Sequence, residues 1–511
     1  MSIATTYSAQ LVGLKIHVVT IEVDISQGLH SFSVVGLGDR AVEESKDRIS
    51  AAIKNSCFIS PKQKNQKVII SLAPADLRKE GPSFDLAMAL AYLKAAGDVN
   101  FEHSGKLFFG ELALDGTVRK VPGILPLLCQ AVAYGYTQAY IPKENDQEAS
   151  LARGIEVYAI SSLQELIEHV SGTTPIPAIT QHQYLSSTYN SPRNMYDMRN
   201  IRGNEAAKRG LEIAAAGAHN LIMCGPPGTG KTMLAQSFCS LLPALSYDHS
   251  VEVTGIHSAA HTLKEELIAY PPFRSPHHTA SYPAIIGGGS IPRPGEVTLA
   301  HRGVLFLDEF PEFDRDVIEA LRQPLEENMV TISRARGSVT FPAQCILIAS
   351  MNPCPCGRGK QYGCICPEKT LNAYRRRLSG PIIDRIDVWV NVNSVDYDKL
   401  AAQTSSSESS SEIQHRVAAA RNRQIERFKR HNVPISFNSE MNAKTIEMCV
   451  NMTQGARTLL KQAAEKQGIS GRAFHRTIKV AQTIADLSGH EEIQREAMLE
   501  ALQYRDRSSA A

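Results

Sequence analysis

The chain lacks what would place it in a membrane or outside the cell. No apolar run in its 511 residues reaches membrane-spanning length, and the N-terminus, Met1-Ser-Ile-Ala-Thr-Thr-Tyr, has no basic segment ahead of an apolar core. A membrane partner is therefore not expected, and a cytoplasmic protein is. Excess charge is missing too. With 54 Lys and Arg against 52 Asp and Glu the formal net charge is +2, so bulk charge does not mark a nucleic-acid binder and any basic surface must be local. No internal repeat is visible, which excludes a repeat array. The ten cysteines are scattered except for Cys354, Cys356, Cys364 and Cys366. In a reducing compartment such a cluster suits a metal better than disulfides.

What is present is the composition of a folded protein, 43% apolar and 21% charged. The length exceeds one core and, at roughly 150 residues per domain, predicts about three. Residues 1–172 alternate β-rich runs (Ile16 to Val23, Lys67 to Leu72) with helical patterns (Val42 to Asn55, Ser83 to Ala96), as in an α+β unit. From 173 to 198 the composition turns to Thr, Pro, Ser, Gln and Tyr, as in a linker. Residues 199–395 alternate strand and helix in the manner of a parallel sheet covered on both faces. Residues 396–511 read as mostly helical, after a polar stretch from Gln403 to Ser411 expected to be a surface loop.

The chemistry concentrates in the third block. Gly225, Pro226, Pro227, Gly228, Thr229, Gly230, Lys231 and Thr232 follow the apolar run Asn220 to Cys224 and precede a helical pattern. Glycines admit backbone N–H groups to a triphosphate, Lys231 supplies charge for its β/γ-phosphates, and the Thr232 hydroxyl can ligate Mg²⁺. Val304-Leu-Phe-Leu-Asp308-Glu309 reads as a buried strand ending in two acids, Asp308 for the metal and Glu309 to polarise a water. Together they point to nucleotide hydrolysis. A further apolar strand, Cys345 to Met351, ends in Asn352, where an amide can hold the attacking water or simply close the strand.

Arg385, in Leu378-Ser-Gly-Pro-Ile-Ile-Asp-Arg385-Ile-Asp387, either reaches a neighbouring subunit's phosphates or forms surface salt bridges with Asp384 and Asp387. Ser470 is placed to cap a helix with Phe474, Ile478, Ala481 and Ile484 on its core face. Arg472, Arg476 and Lys479 then share another face, either solvated or carrying a nucleotide sensor.

These strings, with Gly203 to Asn220, Phe273-Arg-Ser-Pro-His-His-Thr-Ala280 and Asn352-Pro-Cys-Pro-Cys356-Gly357, resemble the magnesium-chelatase-like AAA+ ATPases, and within them the bacterial ComM (YifB-like) family. The resemblance runs nearly end to end. It implies an α/β fold: an N-terminal α+β Lon-protease-like domain, a central AAA+ parallel-sheet core and a C-terminal helical lid. It implies ATP and Mg²⁺ as cofactors, with Lys231 and Thr232 in the Walker A role, Asp308 and Glu309 in Walker B, Asn352 as sensor 1, Arg385 as arginine finger and Arg472 as sensor 2. It also implies a homo-hexameric ring and a DNA helicase activity, branch migration of joint DNA molecules during natural transformation. The alternatives are the motor of a metal-chelatase-like complex and an ATP-dependent unfoldase or peptidase.

Val330 to Phe341 alternates toward its tip and reads as a β-hairpin. It is similar to the pre-sensor hairpin of minichromosome maintenance helicases, which makes Arg334 and Arg336 candidate DNA contacts or a solvated pair. The cysteines, spaced Cys-x-Cys-x7-Cys-x-Cys, could close a structural Zn²⁺ site or remain free thiols. His277 and His278 are read as non-ligands, because neighbours on a strand point apart. Lys79-Glu-Gly-Pro-Ser83, Gly110-Glu-Leu and Ile141 to Asn145 resemble the Lon proteolytic domain. Leu125 stands near where that family carries its general-base Lys, so Ser83 lacks activation and is read as a helix N-cap.

Overall fold

The computed structural model describes residues 3–13, 15–181, 196–260, 262–263, 267–289, 293–334, 337–359, 363–378, 380–394 and 408–505. The chain forms two compact units, one from Met1–Leu185 with Ser250–Ile268 and the other from Ser186–His249 with Ala269–Ala511. Among the described residues no helix is long and apolar enough to cross a membrane.

In the first unit a four-stranded sheet runs Ala4–Val12, Lys15–Gln27, Gln66–Ala73, Ser31–Val35. Its first two pairings are antiparallel and its last parallel. Period-two alternation buries Val19, Ile21 and Val23 beside Val68, Ile70 and Leu72, under helices Arg40–Asn55 and Asp85–Ala95. The second helix is buried at every position from Asp85 to Leu93, as a helix apolar all round must be. Asp85 is kept there by Arg48 Nε at 2.7 Å and by the Ser45 hydroxyl. Ser83 does not cap this helix. The N-cap is Phe84, without a side-chain bond, and the entry is closed by Asp85 N–H on the Pro82 carbonyl at 3.1 Å. Leu125 is buried in helix Ile124–Ala131.

Ser250–Ile268 lies within the 199–395 block of the sequence yet packs into this first unit. Gly255 sits against Pro126, where a Cβ would come within 3.2 Å, and Gly123 against Ser258. Such close approaches tolerate little more than a glycine.

The second unit holds five parallel strands in the order Phe273–Arg274, Val304–Leu307, Ile346–Met351, Leu221–Cys224, Val388–Asn391. The strands are mostly apolar because both faces are covered. Leu221, Met223, Val304, Phe306 and Ile348 enter one core, and Ile222, Leu305, Leu307, Leu347 and Ala349 the other. The C-terminal helices Ser410–Arg430, Ala443–Cys449, Gln454–Gln467, Gly471–Leu487 and Arg495–Gln503 contribute Val417, Phe428, Ile478, Ile484 and Met498 to that first core. The expected loop at 403–411 ends early. Ser409 caps helix Ser410–Arg430 in a capping box with Glu412, and 403–407 lie outside the described residues. Ser470 caps Gly471–Leu487 through the Ala473 N–H at 3.3 Å, as expected.

A buried polar network joins the helices to the sheet. His219 meets Asp387 at 2.9 Å and Thr483 at 2.8 Å, while Asn438 donates to Thr483 at 2.9 Å and to Asp486 at 2.8 Å. Arg427 forks onto Asp486 at 2.6 and 2.9 Å. Removing the carboxylate leaves a buried guanidinium unpaired, so Asp486→Ala should cost about 3–5 kcal/mol, whereas the paired change Arg427→Met with Asp486→Leu should cost clearly less. Urea denaturation of the three proteins measures the difference.

Candidate functional site

The strand Leu221–Cys224 delivers the chain to a loop whose shape its glycines set. A Cβ at Gly225 would collide with the Val392 carbonyl oxygen. Gly228 (φ +76°) and Gly230 (φ +86°) adopt left-handed backbone, and a Cβ at either would meet nothing within 4 Å. The loop thus opens onto free space at the N-terminus of helix Lys231–Phe238, which suits a phosphate. Lys231 is buried, and its ammonium donates to the Gly225 and Pro226 carbonyls at 2.6 and 2.9 Å and to Asn352 Oδ1 at 3.2 Å. Burial lowers its pKa, against the opposing pull of Asp308, Cys224 and Glu309.

Thr232 Oγ1 donates to Asp308 Oδ2 at 3.1 Å, bringing together the hydroxyl and carboxylate that Mg²⁺ would take. The other Asp308 oxygen accepts from the Ser350 hydroxyl. Ser350 was not singled out in the sequence, although it is the one fully buried hydroxyl in an otherwise apolar strand. Glu309 is left-handed (φ +51°), a strained conformation for a glutamate that the Glu309 N–H bond to Asp308 Oδ1 at 3.0 Å helps to hold.

Glu309 Oε2 lies 3.4 Å from His278 Nδ1. The two histidines do not point apart as expected; their ring centroids are 4.1 Å apart. The strand has ended at Arg274, so alternation no longer governs them. The signal available in the sequence was the position of His278 shortly beyond the strand that neighbours the acidic one.

Arg385 and Arg472 lie elsewhere. Both line a cavity of about 800 Å³ that also touches Asn220, Gly303 and Ile346, at the amino ends of the central strands, and none of Gly225–Thr232 lines it. Four-residue strands rising about 3.3 Å per residue separate that edge from the phosphate loop. Arg385 pairs with Glu326 and donates to the Pro381 carbonyl at 2.5 Å. Arg472 lies 3.7 Å from Asp384. Arg472, Arg476 and Lys479 share a face as expected, all lining that cavity, with Arg472 and Arg476 both beside Asp384, but the face is not simply solvated. Arg476 is spent on the Ile383 and Ile386 carbonyls at 3.0 and 2.7 Å, and Lys479 on the Ser439 carbonyl at 2.8 Å, with burial lowering its pKa. Asp387 belongs to His219, not to Arg385.

The hairpin forms as read. Met329–Arg334 pairs antiparallel with Gly337–Pro342, Arg334 opposite Gly337, and Val330, Ile332 and Phe341 anchor it in the second core. Arg336 lies outside the described residues, as does the side chain of Arg334.

All four clustered cysteines are free, and their sulfurs lie within 4.8 Å of one another. Cys354 to Cys356 is 3.3 Å and Cys356 to Cys364 is 3.8 Å. Four thiolates about 2.3 Å from a tetrahedral ion stand roughly 3.8 Å apart, so the set suits such a cation. The Arg358 backbone N–H, then the Cys354 thiol, pull Cys356 down to about 6.

Sequence comparison now adds to the geometry. Residues 197–400 match the family of magnesium chelatase subunit ChlI, 21–145 the subunit ChlI of Mg-chelatase, and 407–505 its C-terminal part. Competence protein ComM of Haemophilus influenzae is 39% identical over 512 residues, 99% of this chain and 98% of its own, and YifB of Salmonella typhimurium 40% over 511, 99% and 97%. The chain belongs to the ComM/YifB-like magnesium-chelatase family of AAA+ proteins. DNA replication licensing factor mcm7-A of Xenopus laevis is 24% identical over 199 residues, 39% of this chain and 24% of its own.

Membership in the magnesium-chelatase family, with an open phosphate loop and paired Thr232 and Asp308, points to ATP hydrolysis with Mg²⁺. Lys231→Ala should lower ATP turnover about 100-fold or more, while Glu309→Gln should keep ATP binding yet lose hydrolysis to a similar degree. Fluorescent-nucleotide titration beside phosphate release separates the two; normal turnover by either variant contradicts the arrangement.

Proposed function

We propose that this chain is an ATP-driven DNA translocase that works as a homo-hexamer and promotes branch migration of joint DNA molecules during natural transformation and recombination. The observation that carries the reading is the hairpin Met329–Pro342, which is three residues from the strand Ile346–Met351 that Asn352 follows. A basic tip on that hairpin would feel the nucleotide through one short, well-packed connection. The names of two relatives, a competence protein and a DNA replication licensing factor, support a DNA substrate.

In this reading Lys231 and the loop Gly225–Gly230 hold the phosphates, Thr232 and Asp308 hold Mg²⁺, and Glu309 and Asn352 orient the water. Arg385 and Arg472 serve the phosphates of the next subunit, since within one chain they lie at the far edge of the sheet. The four cysteines hold a zinc ion. The Lon-like fold of the first unit is a non-proteolytic layer, with Leu125 where a base would be needed.

The sharing of sites has a direct test. Mixed rings of Arg385→Ala and Lys231→Ala subunits should recover part of the ATPase lost by each alone, at interfaces that join an intact loop to an intact arginine. Dead mixtures, with mixing confirmed by native mass spectrometry, would remove Arg385 from the site.

The DNA reading is tested by ATPase stimulation with branched DNA set beside single-stranded DNA, a porphyrin and an unfolded protein. Branched DNA should stimulate most, and replacing Arg334 and Arg336 together with Ala should abolish that stimulation, spare basal turnover and cut the salt dependence of binding by about two phosphate contacts. Stimulation by porphyrin alone would favour a chelatase motor, stimulation by unfolded protein an unfoldase, and either would overturn the proposal.

A further inference from the structure

The cysteine cluster follows Asn352 by two residues, and the segment that carries it touches the phosphate loop in two ways. At its start, Asn352 Oδ1 accepts from Lys231 Nζ at 3.2 Å, while the Asn352 carbonyl accepts from the Tyr374 hydroxyl at 3.1 Å. Five residues on, Gly357 (φ +80°) lies against Pro227, so closely that a Cβ would come within 2.9 Å of the proline ring. One short segment therefore fixes both the amide that faces the lysine and one wall of the loop.

Among the described residues, little else holds that segment in place. Among its described residues, 353–359 and 363–367 form no helix or strand, and Ile365 is 77% exposed. Its internal backbone bonds among the described residues are Gly357 N–H to the Cys354 carbonyl at 2.9 Å and Cys364 N–H to the Gly359 carbonyl at 3.1 Å. What converges instead is sulfur. Cys354 is buried, accepts the Gly359 N–H at 3.1 Å, and stands with Cys356, Cys364 and Cys366 in the four-sulfur set described above. A segment with too few apolar side chains to make a core can be held by a metal in place of one.

We propose that the ion bound by Cys354, Cys356, Cys364 and Cys366 is an integral part of the ATP site, clamping Asn352 onto Lys231 and Gly357 onto Pro227, so that ATP turnover depends on metal occupancy. The proposal rests on the zinc and ATPase readings given above. The ion touches no nucleotide. Its role is positional, and its loss frees the segment to swing away from the loop.

The test uses the full chain. Zinc is counted with pyridylazoresorcinol, nucleotide affinity is read with a fluorescent ATP analogue, and amide exchange follows 225–232. Wild type should carry one zinc per chain. Cys364→Ser should lose it, exchange faster across 225–232, and turn over ATP about tenfold slower or worse, with nucleotide affinity changed much less. Cys356→His, which keeps four ligands, should retain zinc and most of the turnover. If Cys364→Ser fails to fold, mercurial displacement of zinc from folded wild type, followed by refilling, gives the same comparison. Wild type without zinc overturns the metal itself. Zinc present, but with turnover and exchange unchanged on its removal, overturns the clamp and leaves the zinc reading standing.

Discussion

All five strands of the central sheet run the same way, and this separates two kinds of positive charge that a triphosphate attracts. Lys231 and its loop sit at the carboxyl end of Leu221–Cys224, beside the carboxyl ends that present Asp308, Glu309 and Asn352. Arg385 and Arg472 sit with Asn220, Gly303 and Ile346 at the amino ends. A sheet packed on both faces cannot fold its edges together, so within a single chain each set finds local partners. Lys231 is hydrogen-bonded to its own loop, and Arg385 is paired with Glu326.

The phosphate site was legible in the sequence because its parts are local. A glycine-rich turn between an apolar strand and a helix, or a buried strand ending in Asp-Glu, carries its geometry within about ten residues. In the structure Lys231 meets Asn352, and Thr232 meets Asp308. What escaped depends on tertiary contact. His278 faces Glu309 because its strand stops at Arg274, and strand length is set by pairing with Val304–Leu307, not by anything local. Arg476 and Lys479 look solvated on a helical wheel, but the loop 383–386 and Ser439 lie across that face and take their donors. Ser83 failed as a cap because Pro82 closed the turn one residue later.

The fold was legible to the same extent and for the same reason. Period-two and period-3.6 patterns located the β-rich and helical runs of the first unit, including the largely apolar helix Asp85–Ala95. They could not show that Ser250–Ile268 leaves the ATPase block to pack beside Gly123 and Pro126, since nothing in a run of residues declares which core it joins.

The C-terminal helices do not form a body of their own. Val417, Phe428, Ile478 and Ile484 share one core with Leu221 and Val304, and His219 and Arg476 extend the union through hydrogen bonds to Thr483, Ile383 and Ile386. The helices and the sheet are thus one compact unit among the described residues. Arg476 sits on helix Gly471–Leu487 and donates to the backbone on both sides of Arg385, so the position of that arginine is set by the helix as much as by its own loop.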